Sequence, residues 1–218
     1  MKKIALFQHH PECSKQCCNG IIRALSPKYE IKIFTVDDDM NEVLSDVDGI
    51  CFPGGIGDSD SYHDFFTRTR ANAIASFIST GGRYIGVCMG AYWAGSRYFD
   101  ILDKVDVVQY IKQSTATVKR SYGTVALVFW DDLPYYMFFY DGCTYIGDGE
   151  YETVAIYASG HPMAIIQGNI GLIGCHPESE EFWYEDQYKY INRFWHKGEH
   201  HEMLLGFVDK LMEHSSIG

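Results

Sequence analysis

The stretch Arg83-Tyr84-Ile85-Gly86-Val87-Cys88-Met89-Gly90-Ala91-Tyr92-Trp93-Ala94-Gly95 runs an apolar strand into G-x-C-x-G and then into a helix. This is the nucleophile-elbow pattern with cysteine in place of serine. Glycines two before and two after the nucleophile let strand and helix approach through a sharp turn. That turn forces Cys88 into a strained conformation with its thiol exposed above the sheet. A helix N-terminus beneath the sulfur favours the thiolate, and the Met89 N–H points the same way as one oxyanion donor. A buried structural cysteine at a tight strand–helix turn is the plainer reading of this motif taken alone.

A second stretch, Gly171-Leu172-Ile173-Gly174-Cys175-His176-Pro177-Glu178, closes a strand. His176 and Glu178 are two apart and share a face in extended chain, while Pro177 stiffens the backbone and stops strand pairing. Glu178 then holds the His176 ring and selects its tautomer, and the other ring nitrogen takes the Cys88 proton, a nucleophile–base–orienter set. A third stretch, Cys51-Phe52-Pro53-Gly54-Gly55-Ile56-Gly57-Asp58, sets a glycine pair just past a strand end. Backbone N–H groups there face a developing anion, so Gly55 or Ile56 is the second oxyanion donor. As a dinucleotide fingerprint it fails, because no third glycine follows at the required spacing and no helix begins there.

The elements that must position these residues alternate in the first half. Lys3–Gln8, Ile31–Val36, Gly49–Phe52 and Arg83–Val87 read as strands. Ser14–Leu25, Thr67–Ser79 and Met89–Phe99 read as helices, and the acidic Asp37–Asp46 as a loop with a short helix. That order predicts a parallel sheet covered on both faces. In the second half Val105–Ile111, Thr124–Trp130, Tyr135–Tyr140, Thr153–Ala158, Pro162–Gln167 and Gly171–Cys175 are short, β-branched and aromatic. They read as antiparallel strands at the sheet edge, with Gly168-Asn169 a hairpin turn. From Glu180 the chain is helical again, ending in Glu199–Glu213. One domain over residues 1–218 accommodates all of it.

Composition agrees. The 218 residues are 46% apolar and 22% charged, ordinary for a globular chain. Lys and Arg number 18 against 29 Asp and Glu, a net charge of −11, which argues against nucleic acid and anionic membranes as partners. No apolar run reaches the ~18–20 residues of a membrane span, and the N-terminus reads as a first strand rather than a secretory signal. Seven cysteines are an odd and small number, which predicts free thiols in a reducing, cytoplasmic setting.

The three motifs in order, P-G-G, G-x-C-x-G and H-P-E, resemble the class I glutamine amidotransferase-like superfamily. Ala91-Tyr92-Trp93-Ala94 after the elbow, and Asp58 and Tyr62 in the glycine-rich stretch, are most similar to its biotin-protein ligase N-terminal-domain-like branch. The resemblance covers roughly Lys3 to Glu178. It implies a flavodoxin-like three-layer α/β sandwich with a mostly parallel central sheet. It also implies that Cys88 is nucleophile, His176 base and Glu178 orienter, with attack on an amide-type carbonyl through a thioester. Tyr92 and Trp93 stand where glutaminases of the family place a glutamine, and the chain shows no acceptor or synthetase domain, so glutamine is not the expected substrate. The stretch after Glu178 is too short for a ligase module.

The reading is a cysteine-dependent amidotransferase-like hydrolase of a small amide. Its oxyanion donors are Gly55 and Met89, and Gly54, Ile56, His10 and Tyr92 are placed at the substrate. No cofactor is expected. A metal is not expected either, since His9-His10-Pro11-Glu12-Cys13 with Cys17 and Cys18 fits no standard zinc spacing and reads better as a cleft-lining loop. The partner is a small molecule, and a homodimer or a protein partner stays open. Two other readings remain. One is a DJ-1/PfpI-like redox or stress-response cysteine protein, with Glu12 as the acid near the thiol. The other is a non-catalytic binding or regulatory module that keeps the elbow. His196, His200, His201 and His214 read as a histidine-rich surface helix, and Trp130–Tyr140 as sheet packing, with a dimer face or an aromatic pocket wall as the alternative.

Overall fold

The computed structural model describes residues 1–8, 12–55 and 65–214; for residues 12–14, 186 and 187 only the backbone is described. Five parallel strands form one half of a nine-stranded sheet in the order β2-β1-β3-β4-β11. They are β1 (Lys3–Phe7), β2 (Glu30–Phe34), β3 (Gly49–Phe52), β4 (Arg83–Val87) and β11 (Ile170–Ile173). β3 and β11 are buried along their whole length, and β1 and β4 along all but their first residue. Such continuous apolar runs are what a strand covered on both faces requires. Four antiparallel strands continue the sheet in the order β10-β9-β6-β7. They are β6 (Thr124–Trp130), β7 (Leu133–Phe139), β9 (Glu152–Tyr157) and β10 (Pro162–Gln167). β6 and β7 turn through Asp131 and Asp132, both at positive φ, and Gly168 at φ 57 turns β10 into β11 as its sequence suggests.

Helices α1 (Glu12–Leu25) and α5 (Glu199–Glu213) pack together over one face, burying Cys18, Ile21, Leu25, Leu204, Phe207 and Leu211. The other face carries α2 (Met40–Leu44), α3 (Arg68–Ser79) and α4 (Met89–Tyr92), with Met40, Ile74, Ala91, Trp93 and Phe99 in its core. The result is the expected three-layer α/β sandwich. Two of these helices start on side-chain caps. The Asp39 carboxylate accepts from the Asn41 and Glu42 N–H groups, and Thr67 Oγ1 from Arg70 N–H.

Two elements differ from the sequence reading. The helix expected over 89–99 is a single turn: past Tyr92 the chain tightens, with Ala94 N–H donating to Ala91 O and Gly95 N–H to Tyr92 O, and Asp106 then accepts from Ser96 N–H (3.0 Å) and Oγ (2.7 Å). The strand expected over 105–111 ends at Gln109. This β5 (Val105–Gln109) pairs with an unforeseen β8 (Cys143–Gly147) in a separate two-stranded sheet.

Candidate active site

β3, β4 and β11 lie side by side, and the three motifs leave their carboxyl ends together, where parallel α/β sheets place their sites. Cys88 follows β4 directly. It has φ 51 and ψ −103, a conformation costing about 1–3 kcal/mol in a non-glycine residue. The turn is this tight because both flanking glycines are in contact. A Cβ on Gly86 would lie 2.4 Å from Gly90 O, and one on Gly90 would lie 1.9 Å from Phe52 O. The Cys88 N–H donates to Ile173 O at 2.8 Å, which ties the elbow to β11, and the thiol donates to Tyr140 O at 3.4 Å. With α4 one turn long, a helix dipole adds little beneath the sulfur.

His176 is 4% exposed and Glu178 fully buried. The Nδ1–H of His176 donates to Glu178 Oε1 at 2.5 Å, so Nε2 is left for another partner. The ring is held on several sides. A Cβ on Gly54 would lie 2.4 Å from His176 Cε1, so Gly54 is clearance for the imidazole and is not among the residues lining the cavity described below. Phe138 and Trp183 meet the ring edge-on at 5.8 and 5.7 Å between centroids. The aromatic segment thus supplies both sheet packing and a wall beside His176. Burial lowers the His176 pKa, but the charge of Glu178, with the Cys88 and Cys17 sulfurs, outweighs it and raises the imidazole well above its usual value. Burial pushes up the other described thiols, Cys17 to about 11, Cys18 to about 12, and Cys51, Cys143 and Cys175 as well. All six described cysteines are unpaired thiols.

Cys88 opens on a cavity of about 830 Å3 lined by Gly55, Met89, Tyr92, Gln109 and Asp141 among others. Tyr92 is on its wall, and its hydroxyl donates to Asp141 O at 2.8 Å. Asp141 sits at φ 44, with both carboxylate oxygens accepting from Gln109 Nε2 at 3.1 Å; burial raises its pKa. Neither Gln109 nor Asp141 stood out in sequence, because their pairing links β5 to the chain before β8. His10 and Ile56 lie outside the described residues, as do His9, Pro11, Asp58 and Tyr62 and the side chains of Glu12 and Cys13.

Of the four tail histidines expected on the surface, His196 and His200 are buried, while His201 and His214 are half-buried. His196 and His200 are 8% and 3% exposed, with rings stacked at 4.2 Å. The reason is the docking of α5 beneath the Glu178–Ser179 backbone. His196 Nε2–H donates to Ser179 O at 2.9 Å, and His201 Nε2 reaches the carbonyls of Glu178 (3.1 Å) and Ser179 (3.0 Å).

Residues 8–112 match the family "Biotin-protein ligase, N terminal". No curated protein sequence matches the chain. Among solved structures, a glutamine amidotransferase from Thermotoga maritima superimposes with a TM-score of 0.67 at 11% identity, over 98% of this chain and 99% of that one. A glutamine amidotransferase from Methylobacillus flagellatus gives 0.61 at 10% identity, over 87% and 76%. The α-L-fucosidase isoenzyme 2 of Paenibacillus thiaminolyticus gives 0.59 at 11%, over 98% of this chain but 33% of that one. At these identities the likeness is one of fold. Among the described residues no helix is long and apolar enough to cross a membrane. The chain has a class I glutamine amidotransferase-like fold, and its residues 8–112 are similar to the N-terminal domain of biotin-protein ligases.

Proposed function

We propose that the chain is a cysteine-dependent amidase that cleaves a small amide-type C–N bond through a thioester. The observation that carries this reading is the strained Cys88 at the rim of a cavity, beside an imidazole held by a buried carboxylate. His176, fixed in its Nδ1–H tautomer by Glu178, takes the Cys88 proton on Nε2. The thiolate attacks the carbonyl carbon, and the N–H groups of Met89 and Gly55 receive the oxyanion. The C–N bond then breaks, and His176 returns its proton to the leaving amine. Water, deprotonated by His176, hydrolyses the thioester and releases the acid. Tyr92, Gln109 and Asp141 form the wall against which the substrate rests. A DJ-1/PfpI-like arrangement calls for an acid from the first loop. Here the acid on the imidazole is Glu178, which favours the amidase order.

The test is the pH dependence of iodoacetamide labelling at each cysteine, read by peptide mass spectrometry. Cys88 is expected to label fast below pH 7 while the buried Cys51, Cys143 and Cys175 stay slow, and His176→Ala is expected to slow it to ordinary thiol behaviour. Labelling of Cys88 no faster than that of Cys51 or Cys143 would sink the reading.

A further inference from the structure

One thiol near the pair has no part in that chemistry. Cys17, on α1, is 6% exposed. Its Sγ, a nitrogen of His176 and a carboxylate oxygen of Glu178 all lie within 4.8 Å of one another. A second observation points to the same place. Glu178 is fully buried, yet only Oε1 has a partner; Oε2 accepts no hydrogen bond from the protein. An unpartnered buried oxygen is costly, more so on a charged group. Thiolate, imidazole and carboxylate together are ligands that suit zinc, whereas calcium and magnesium take oxygen ligands and leave sulfur aside.

We propose that Cys17, His176 and Glu178 are a binding site for a thiophilic divalent cation, zinc first among them. The 2.5 Å contact between His176 Nδ1 and Glu178 Oε1 is a hydrogen bond. Two ligands at about 2.0 Å from one tetrahedral ion sit about 3.3 Å apart, so the ion replaces this bond rather than joining it. Zinc takes electron pairs from Cys17 Sγ, His176 Nδ1 and a Glu178 oxygen. The thiol proton leaves to solvent, the Nδ1 proton moves to Nε2, and nothing is oxidised or reduced. An imidazole protonated at Nε2 cannot take the Cys88 proton. The consequence for activity, a site switched off by the ion, rests on the amidase reading; the binding itself does not.

The test is titration of the whole, reduced chain with Co2+, followed by competition with Zn2+. A single cobalt with a thiolate-to-cobalt charge-transfer band, displaced by equimolar zinc, is expected in the wild type and in Cys88→Ser. Cys17→Ser is expected to lose the band and to weaken zinc binding by more than the ~10–100-fold typical of losing a group that only orients a ligand. Absence of stoichiometric metal, a band that survives Cys17→Ser, or one that needs Cys88 instead overturns the proposal. Should Cys17→Ser not fold, the wild type decides: bound zinc must protect Cys17 from alkylation, and equal labelling with and without zinc overturns it. The two readings fail separately. Sluggish Cys88 in the metal-free chain sinks the amidase and leaves the cobalt band, while a missing band leaves Cys88 reactivity untouched.

Discussion

At the scale of single residues the site turns on one contact. The Glu178 carboxylate is the largest influence raising His176 against the opposing effect of burial, with the Cys88 and Cys17 sulfurs adding to it. Its stability linkage follows. A histidine whose folded pKa lies above the unfolded value of 6.5 adds stability below that value, and loses it as pH rises through the folded pKa. The same carboxylate stabilises the imidazolium formed when Nε2 takes the Cys88 proton. Glu178→Gln keeps the shape and an acceptor for Nδ1–H but removes the charge. Without that charge the imidazolium that stabilises the thiolate is disfavoured, so Cys88 labelling below pH 7 is expected to fall several-fold with the thermal transition still cooperative. Unchanged labelling in Glu178→Gln would mean that Glu178 merely fills space.

At the scale of elements the start of α5 governs how the Glu178–Ser179 segment is held. His196 Nδ1 accepts from the Gly198 and His200 N–H groups at 3.1 and 3.3 Å, so the ring caps the helix in its neutral form. Burial, with the neighbouring His201, holds His196 down to about 4; burial, His196 and His201 hold His200 down to about 3. His200 Nδ1 has no partner, Tyr135 meets the His200 ring edge-on, and Trp195 packs on His196, so no carboxylate is among these contacts to pair with a new charge. Folded values below the unfolded 6.5 give stability that is present above pH 6.5 and lost as pH falls toward the folded values. Each ring removes about 2–3 kcal/mol between about pH 7 and 4.5. His176, raised in the fold, gains stability as pH falls through the unfolded 6.5 and so offsets only a small part of this loss, at the upper end of the window. Thermal melts across this range should show a steep acid-side loss that His200→Phe flattens, and an equal slope in the variant would exclude the cluster as its source. This burial was not legible in the sequence, where the tail looks like a polar helix, because it depends on how α5 docks against the Glu178–Ser179 backbone. The early end of α4 was missed too, since the stretch after it tightens into turns and is tied at Ser96 to Asp106 on β5. The three motifs were legible because each is local: a glycine pair past a strand, an elbow, and a histidine and glutamate two apart. Cys17 beside His176 was not, since only the packing of α1 brings them together.

At the scale of the whole molecule, the segment matched to the biotin-protein ligase N-terminal family ends at Lys112 and contains Cys88 but neither His176 nor Glu178. The remaining half of the site arrives on β11, which the chain reaches only after building the antiparallel extension. β11 then inserts between β4 and β10, pairing Ile170–Ile173 in parallel with Tyr84–Val87. Without it β4, whose Tyr84, Ile85 and Val87 are fully buried, becomes an open apolar edge. Without α5 the α1 face loses Leu204, Phe207, Val208 and Leu211 from its core. A fragment of residues 1–112 is therefore expected to lack a cooperative thermal transition and to label Cys88 no faster than Cys51, while the full chain melts cooperatively and labels Cys88 faster. Slow amide exchange along β4 in that fragment would contradict this. It would mean that the first half folds by itself and that β11 delivers only His176 and Glu178 to a sheet already formed.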